Sequence, residues 1–372
     1  MEGVVEKSIL ISVSNDLSND QRMLRISASL QNAGYRVLLL GRNKKQSLPL
    51  ETFNFDQKRL DCFFEKGKLF YLELNIRLLF FCLKNSFDIY YAVDLDTLLP
   101  MTIAAALKRK KLCYDAHEYF TEVPEVVNRP LVKMLWDIVG LFCIPRTDLT
   151  FTVGPALAAE LMQHYGRQFE VVKNVPVQRA NVNEWPDFLP FERQKYMLYQ
   201  GALNKGRGVE QLLDLMPEQK LPLLIAGEGD LSEMLRKKSD EMGLSGKEVF
   251  FLGMLPPDEL WAVTQHAFLA FNLLEHSGKS YYFSLANKFF DYIQASVPCI
   301  TMDFPEYSAI NKQYKVAELI PDLDKEKISN AIDNLAEDSQ KYNLLKENCK
   351  KAAETYNWQN EEQHLLRLMH GI

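Results

Sequence analysis

The sequence predicts an α/β protein built from two doubly wound parallel sheets, one in each half of the chain, facing across a cleft. Three observations carry that expectation. Short apolar strands alternate with amphipathic helices through residues 8–172, the pattern of a parallel sheet covered by helices. A proline-rich stretch at 174–192 breaks the alternation, and the same grammar restarts at 195. A chain of 372 residues also exceeds one ordinary core and fits two α/β domains.

Taken in order, residues 8–13 read as a buried strand, 20–32 as a helix with Gly34 at its C′ position, and 37–40 as a second strand. Strands follow at 88–92, 112–114, 149–153 and 169–172, with helices at 72–83, 96–107 and 155–165 between them. Residues 174–192 hold three prolines, with Trp185 and Asn/Asp between them, the composition of a linker. Beyond it come a strand at 195–200, a helix at 208–215, a strand at 223–226 and a helix at 231–242 closed by Gly243. Segments 249–252, 257–264 and 268–273 continue the alternation. An amphipathic helix carrying Asn287, Lys288 and Asp291 then runs into Ala295-Ser296, and Val297-Pro298 opens a strand at 299–301. A last helix spans 355–368, with Leu365, Leu366, Leu368 and Met369 as its apolar face. Each half is therefore Rossmann-like, and such sheets take ligands at the carboxyl ends of their strands.

Composition removes several classes of function. Hydrophobic content of 47% with 25% charged residues is that of a soluble globular enzyme. Residues 8–13 are too short for the apolar region of a signal peptide, and the longest apolar run, 78–83, is far below the ~20 residues of a membrane span. The six cysteines form no CxxC pair, so they read as reduced packing residues of a cytoplasmic protein, with no zinc site. The net charge of −6 is unevenly distributed: residues 1–180 hold 23 Lys+Arg against 20 Asp+Glu, and residues 181–372 hold 20 against 29. So acidic a second half argues against nucleic acid as a partner.

The candidate site residues gather after strands. In the 287–301 segment, Lys288 and Asp291 are three apart, on one helix face near an N-terminus that attracts anions. A mobile cation for phosphate and a carboxylate for a diol together suit a ribose phosphate, although an i,i+3 ion pair on a surface helix has the same spacing. YQGALNKGRG at 199–208 is strand, loop and helix with Gly201, Gly206 and Gly208. Glycine lets backbone approach a phosphate, and Arg207 stands at the helix start; a tight turn with a solvated arginine is the plainer account. IAGEGD at 225–230 brings Gly227, Glu228 and Gly229 to the same rim, where a simple βα turn serves equally well. There is no GxGxxG or GxxxxGK[ST], which takes away the specific support for NAD enzymes and P-loop NTPases.

In the first half, YDAHEYF at 114–120 places His117 and Glu118 just past a buried strand, and His117 can donate to a sugar hydroxyl or leaving oxygen. Asp94 and Asp96 offer two carboxylates at i,i+2, a Mg²⁺ or Mn²⁺ pattern, but Asp96 is better read as the cap of the helix that starts there. His276 and Ser277 follow the strand that ends near Leu274, lining the cleft or simply forming a polar loop. Lysines and arginines at 44, 45, 58, 59, 66 and 68, interleaved with Phe53, Phe55, Phe63 and Phe64, give two readings: interfacial membrane contact, or a solvated loop over a core.

In order and spacing these segments, together with SNDLSNDQRMLR (14–25), TVGPALAAEL (152–161), KNVP (173–176) and NKFFDYIQASVP (287–298), resemble the family-4 retaining glycosyltransferases of the GT-B fold along nearly the whole chain. The resemblance implies metal-independent transfer, without a cofactor, of a sugar from a nucleotide-sugar, a UDP- or GDP-sugar, to a glycan, lipid-linked or small-molecule acceptor. It implies an acceptor domain at 1–175, completed by the returning helix at 355–372, a linker at 176–192, and a donor domain at 193–354. His117, Arg207 and Lys288 would be the catalytic residues. Gly201, Gly206, Gly227, Glu228, Gly229, His276, Ser277, Asn287 and Asp291 would hold the donor, with Asn15, Asp16 and Glu118 on the acceptor side. The resemblance further implies a cytoplasmic enzyme of polysaccharide biosynthesis, with peripheral contact to the inner membrane face through the first domain. Two positions depart from the family. Ala202 replaces its arginine while Arg207 takes its lysine place, and of its acidic pair, eight apart, Phe283 replaces the first and Asp291 keeps the second. Two other readings stay open: a catalytically silent nucleotide-sugar-binding subunit, and a nucleotide-sugar 2-epimerase of the same fold.

Overall fold

Parallel strands, buried and apolar at the centre of each sheet, organise the chain into two sheets. The computed structural model describes residues 7–45, 47–182 and 184–372. The described residues fall into two units: those up to 173, with 278–280 and 361–372, form one, and those of 174–277 with 281–360 form the other.

The first unit holds a seven-stranded sheet in the order β3-β2-β1-β4-β5-β6-β7. Its strands are β1 (Ser8–Ser12), β2 (Arg36–Asn43), β3 (Asp56–Asp61), β4 (Ile89–Val93), β5 (Lys111–Ala116), β6 (Leu149–Thr152) and β7 (Glu170–Val171). β1 lies between β2 and β4, with Ile9 opposite both Val37 and Ile89, so the strand order reverses at β1/β4. The helices are α1 (Gln21–Asn32), α2 (Gly67–Lys84), α3 (Leu95–Lys108), α4 (Pro124–Val127), α5 (Pro130–Cys143) and α6 (Pro155–Tyr165). α1 begins where Asp20 caps the backbone N–H of Met23 at 3.1 Å, and Gly34 follows it at φ 91°.

The second unit holds six parallel strands in the order β10-β9-β8-β11-β12-β13. They are β8 (Met197–Gln200), β9 (Leu223–Ala226), β10 (Val249–Gly253), β11 (Leu269–Asn272), β12 (Cys299–Met302) and β13 (Ala317–Ile320). Here the reversal falls at β8/β11, where Met197 lies opposite both Leu223 and Leu269. The helices that follow β8 are α7 (Val209–Leu215), α8 (Ser232–Glu241), α9 (Pro257–His266), α10 (Lys279–Tyr282, whose first two residues are grouped with the first unit), α11 (Asn287–Gln294), α12 (Pro305–Tyr314), α13 (Lys325–Glu337) and α14 (Ser339–Thr355). The chain closes with α15 (Trp358–His370).

Four differences from the sequence expectation have physical causes. β3 was not expected, because the edge strand DQKRLD carries no apolar alternation. α5 was not expected either: PLVKMLWDIVGLFC is apolar on nearly every side and shows no polar face. The last helix starts at Trp358, not at 355; α14 fills 339–355, and Asn357 accepts from the N–H of Asn360 at 3.1 Å in the break between them. The stretch expected as a linker packs onto the second unit instead of standing free. The Trp185 ring meets Tyr196 and His266 edge-on, Trp261 Nε1 donates to the Ala180 carbonyl at 3.0 Å, and Leu189 is buried. Asn183, within that stretch, lies outside the described residues.

Candidate functional site

In the second unit the reversal point of the sheet collects the expected donor residues. β8 ends at Gln200, and the loop to α7 opens with Gly201 at φ 118°, a backbone region that side chains rarely enter. The loop after β9 nests into it. A Cβ on Gly227 would lie 2.0 Å from the Gly201 carbonyl oxygen, and one on Gly229 would lie 2.4 Å from Asn204 Oδ1. Two glycine turns are therefore stacked at one rim, and only glycine fits at their contact.

Lys288 comes to this rim from the first turn of α11. Its N-cap, Ala286, has no side-chain oxygen, so the first N–H groups of the helix lack a side-chain cap. Lys288 is 8% exposed. Its Nζ stands 3.9 Å from the Tyr199 ring centroid and 3.6 Å from the position of a Cβ on Gly201, and it has no hydrogen-bond partner. Burial holds the ammonium well below the usual lysine range, and the charge of Arg207 pushes the same way. Arg207 lies against the Tyr281 ring at 5.1 Å, with its Nε buried and without a partner. Two cations that repel each other are thus held beside a glycine backbone and an uncapped helix start, an arrangement suited to a diphosphate.

Asp291, one turn further on, accepts from Gln200 Nε2 at 3.0 Å, and Gln200 Oε1 accepts from the Thr264 hydroxyl at 2.7 Å. Asn287 is exposed at the helix start. The remaining donor candidates are more dispersed. Glu228 is ion-paired with Arg236 of α8. His276 and Ser277 are exposed, and the His276 ring stacks on Tyr282 at 4.5 Å. Gly206 accepts from the N–H of Glu275 at 2.9 Å, which ties the loop after β8 to the end of β11.

In the first unit His117 follows β5, anchored from three sides. Its backbone N–H donates to Asp94 Oδ1 at 3.0 Å, its Nε2 lies 3.3 Å from Asp115 Oδ2, and Arg22 Nε lies 3.1 Å from the same Nε2. Burial alone would lower the His117 pKa; the Asp115 charge and hydrogen bond, helped by Asp94, outweigh it and raise it. Asp115 is fully buried and paired with Arg22 at 3.1 Å. Burial works against its charge, but Arg22 and His117 hold its carboxyl far below the usual range. Neither Arg22 nor Asp115 stood out in the sequence as a positioning residue; the signal was an arginine in the first turn of α1 and an acid two residues before the histidine.

The cap expected of Asp96 is not formed, and Asp94 does not supply it either. Asp94, at φ 55°, is the residue that precedes α3, and its carboxylate turns to His117 instead of capping the helix. Asp96 lies inside the first turn, 4% exposed, and burial pushes its pKa up to about 6. Asp16 accepts from Arg59 Nη2 at 2.6 Å, from the Ser47 hydroxyl and from the Ser18 N–H, capping the short turn Leu17–Asn19. Asn15 and Glu118 are exposed at the same end of the sheet. Among the described residues no group of three or more His, Cys, Asp or Glu could hold a metal ion.

Two family models match the sequence: the one described as Glycosyltransferase Family 4 over residues 21–175, and the one described as Glycosyl transferases group 1 over residues 181–352. No curated protein matches the chain in sequence. Among solved structures, sucrose-phosphate synthase from Thermosynechococcus elongatus is similar, with 14% identity and a TM-score of 0.81 over 98% of this chain and 99% of that one. The Anabaena protein HepE, solved with UDP-glucose, is similar at 14% identity and a TM-score of 0.77, over 99% of this chain and all (100%) of that one. MnaA of S. aureus, solved with UDP, follows at 13% identity and a TM-score of 0.64, over 97% and 95%.

Proposed function

Because this chain belongs to the family-4 glycosyltransferases of the GT-B fold, we propose that it takes a UDP-sugar into the second unit and moves the sugar, with retention, to an acceptor bound by the first. The observation that carries this reading is the buried, unpartnered Lys288 ammonium beside Gly201 and Arg207. The UDP and UDP-glucose complexes of HepE favour uridine as the base.

In the reaction the bond from the sugar's anomeric carbon to the diphosphate oxygen breaks, and the acceptor oxygen bonds to that carbon from the same face. The acceptor proton passes to the departing phosphate, so no separate general base is required. Lys288 and Arg207 neutralise the charge that grows on the diphosphate, a stabilisation that increases toward the transition state. Asp291, steadied by Gln200, takes the ribose hydroxyls, and His117 donates to a sugar hydroxyl. Metal is not required, because side-chain cations do its work, so EDTA leaves turnover intact.

A melting-temperature panel of UDP, GDP, ADP, CMP and dTDP tests the donor site. Ligand at ~100 times its dissociation constant contributes roughly 2.7 kcal/mol, and UDP is expected to give the largest shift. Arg207→Ala and Lys288→Ala should each lose on the order of 2–4 kcal/mol of transition-state stabilisation. No shift with any nucleotide, or wild-type turnover in both variants, refutes the assignment. Nucleotide binding without transfer to any acceptor would identify a binding subunit instead.

A further inference from the structure

At the amino-terminal ends of β8 and β11, opposite the donor residues that follow those strands, the second unit holds a cavity of about 560 Å³, a size suited to a small molecule. Three stretches wall it. Arg193, Gln194 and Lys195 come just ahead of β8, Gln265 to Phe268 join α9 to β11, and Ser339, Tyr342, Asn343 and Lys346 lie in the first turns of α14. Trp185 joins them from the stretch that packs onto this unit. The cavity shares no residue with the donor site.

Hydrogen bonds and ring contacts hold the frame. The Phe268 N–H donates to the Tyr196 carbonyl at 2.8 Å, and the Tyr342 hydroxyl donates to the Phe268 carbonyl at 2.8 Å. The Phe268 and Tyr342 rings stack at 4.5 Å and 9°. His266 Nδ1 donates to the Ala262 carbonyl at 2.9 Å, and its ring meets Trp185 at 5.4 Å.

What this frame carries is cationic. Arg193, Lys195 and Lys346 are exposed on the wall, and none of them has a carboxylate within ion-pair distance among the described residues. No Asp or Glu lines the cavity among those residues, although residues 181–372 hold 29 Asp+Glu against 20 Lys+Arg. Asp338, next to Ser339, is engaged as the cap of α14, where it accepts from the Lys341 N–H at 2.9 Å. Three like charges gathered without a counter-charge repel one another, and an anion relieves that repulsion. Gln194, Ser339 and Asn343, whose side chains make no hydrogen bond within the protein among the described residues, add donors and acceptors that suit hydroxyls. The aromatic surface also discriminates. Phe268 is already stacked by Tyr342 and has Lys195 Nζ 4.4 Å from its centroid, so it leaves no face for a nucleobase. The half-buried Trp185 remains for the C–H face of a sugar ring.

We propose that this cavity is a second ligand site and that it binds a phosphorylated sugar, with the phosphate on Arg193, Lys195 and Lys346 and the hydroxyls on Gln194, Ser339 and Asn343. The site is independent of the transferase reading, and its test uses no turnover. The full chain, saturated with UDP, is titrated by calorimetry with glucose 1-phosphate, glucose 6-phosphate and mannose 6-phosphate. At least one should bind one-to-one and at least tenfold more tightly than inorganic phosphate, and glucose should not bind. Lys195→Ala/Lys346→Ala should weaken that binding at least tenfold, and Lys288→Ala should leave it unchanged. An unchanged melting temperature certifies the fold of the double variant, and the UDP-induced shift, read separately, keeps a failure here apart from a failure of the donor assignment. Inorganic phosphate binding as tightly as every sugar phosphate would mean an adventitious ion only, and AMP binding more tightly than all three would mean a nucleotide site. Either result, binding by none of the three, undiminished binding in the double variant, or its loss in Lys288→Ala would overturn the proposal.

Discussion

Lys288 is the residue on which the site turns. Its buried Nζ stands beside Arg207 without a hydrogen-bond partner, so its folded pKa is depressed while the unfolded chain keeps a lysine near the ordinary value of about 10.4. Between those two values the unfolded chain binds the extra proton, so this group makes stability rise with pH up to the unfolded value. A diphosphate at Nζ favours the charged form, so across that window binding is coupled to proton uptake and weakens as pH rises. Titration calorimetry of UDP in two buffers of different ionisation enthalpy should show the uptake, and Lys288→Met should abolish it. Equal proton uptake in wild type and variant would locate the titrating group elsewhere. Lys288 was legible in the sequence as a cation at a helix start; its burial against Tyr199 was not, because it depends on strands that lie far apart along the chain.

At the scale of elements, the two glycine turns after β8 and β9 act as one piece. A methyl on Gly227 would overlap the Gly201 carbonyl at 2.0 Å from a φ of 142°. Gly227→Ala should therefore cost about 1–3 kcal/mol of stability, read as a lower denaturation midpoint, and should weaken UDP binding along with it. A midpoint equal to wild type would show that the loops move apart freely. The sequence gives both turns away through glycines that follow apolar strands, and it gives the alternation of most strands and helices. It conceals β3, whose edge position needs no apolar alternation, and α5, whose outward side chains look like core. The cap assignment failed for a related reason: Asp94 and Asp96 are equivalent on paper, and only the packing of His117 against Asp94 separates them.

At the scale of the molecule, the chain's last helix belongs with its first strands. Leu365 and Met369 are fully buried, the Tyr35 hydroxyl donates to the Met369 carbonyl at 3.2 Å, and Glu361 accepts from the Lys173 N–H at 2.9 Å. Removing 361–372 should accelerate hydrogen exchange in β1 and β2 while β8 and β9 keep their protection; equal acceleration in both sheets, or in neither, would contradict that. The central claim is that the second unit is the donor site, and a structure of the chain soaked with UDP tests it most directly. The diphosphate is expected within ~3 Å of Lys288 Nζ, with the Gly201 backbone and the Arg207 guanidinium beside it and the ribose at Asp291. UDP seated with its diphosphate away from both cations, or bound only in the first unit, would contradict it.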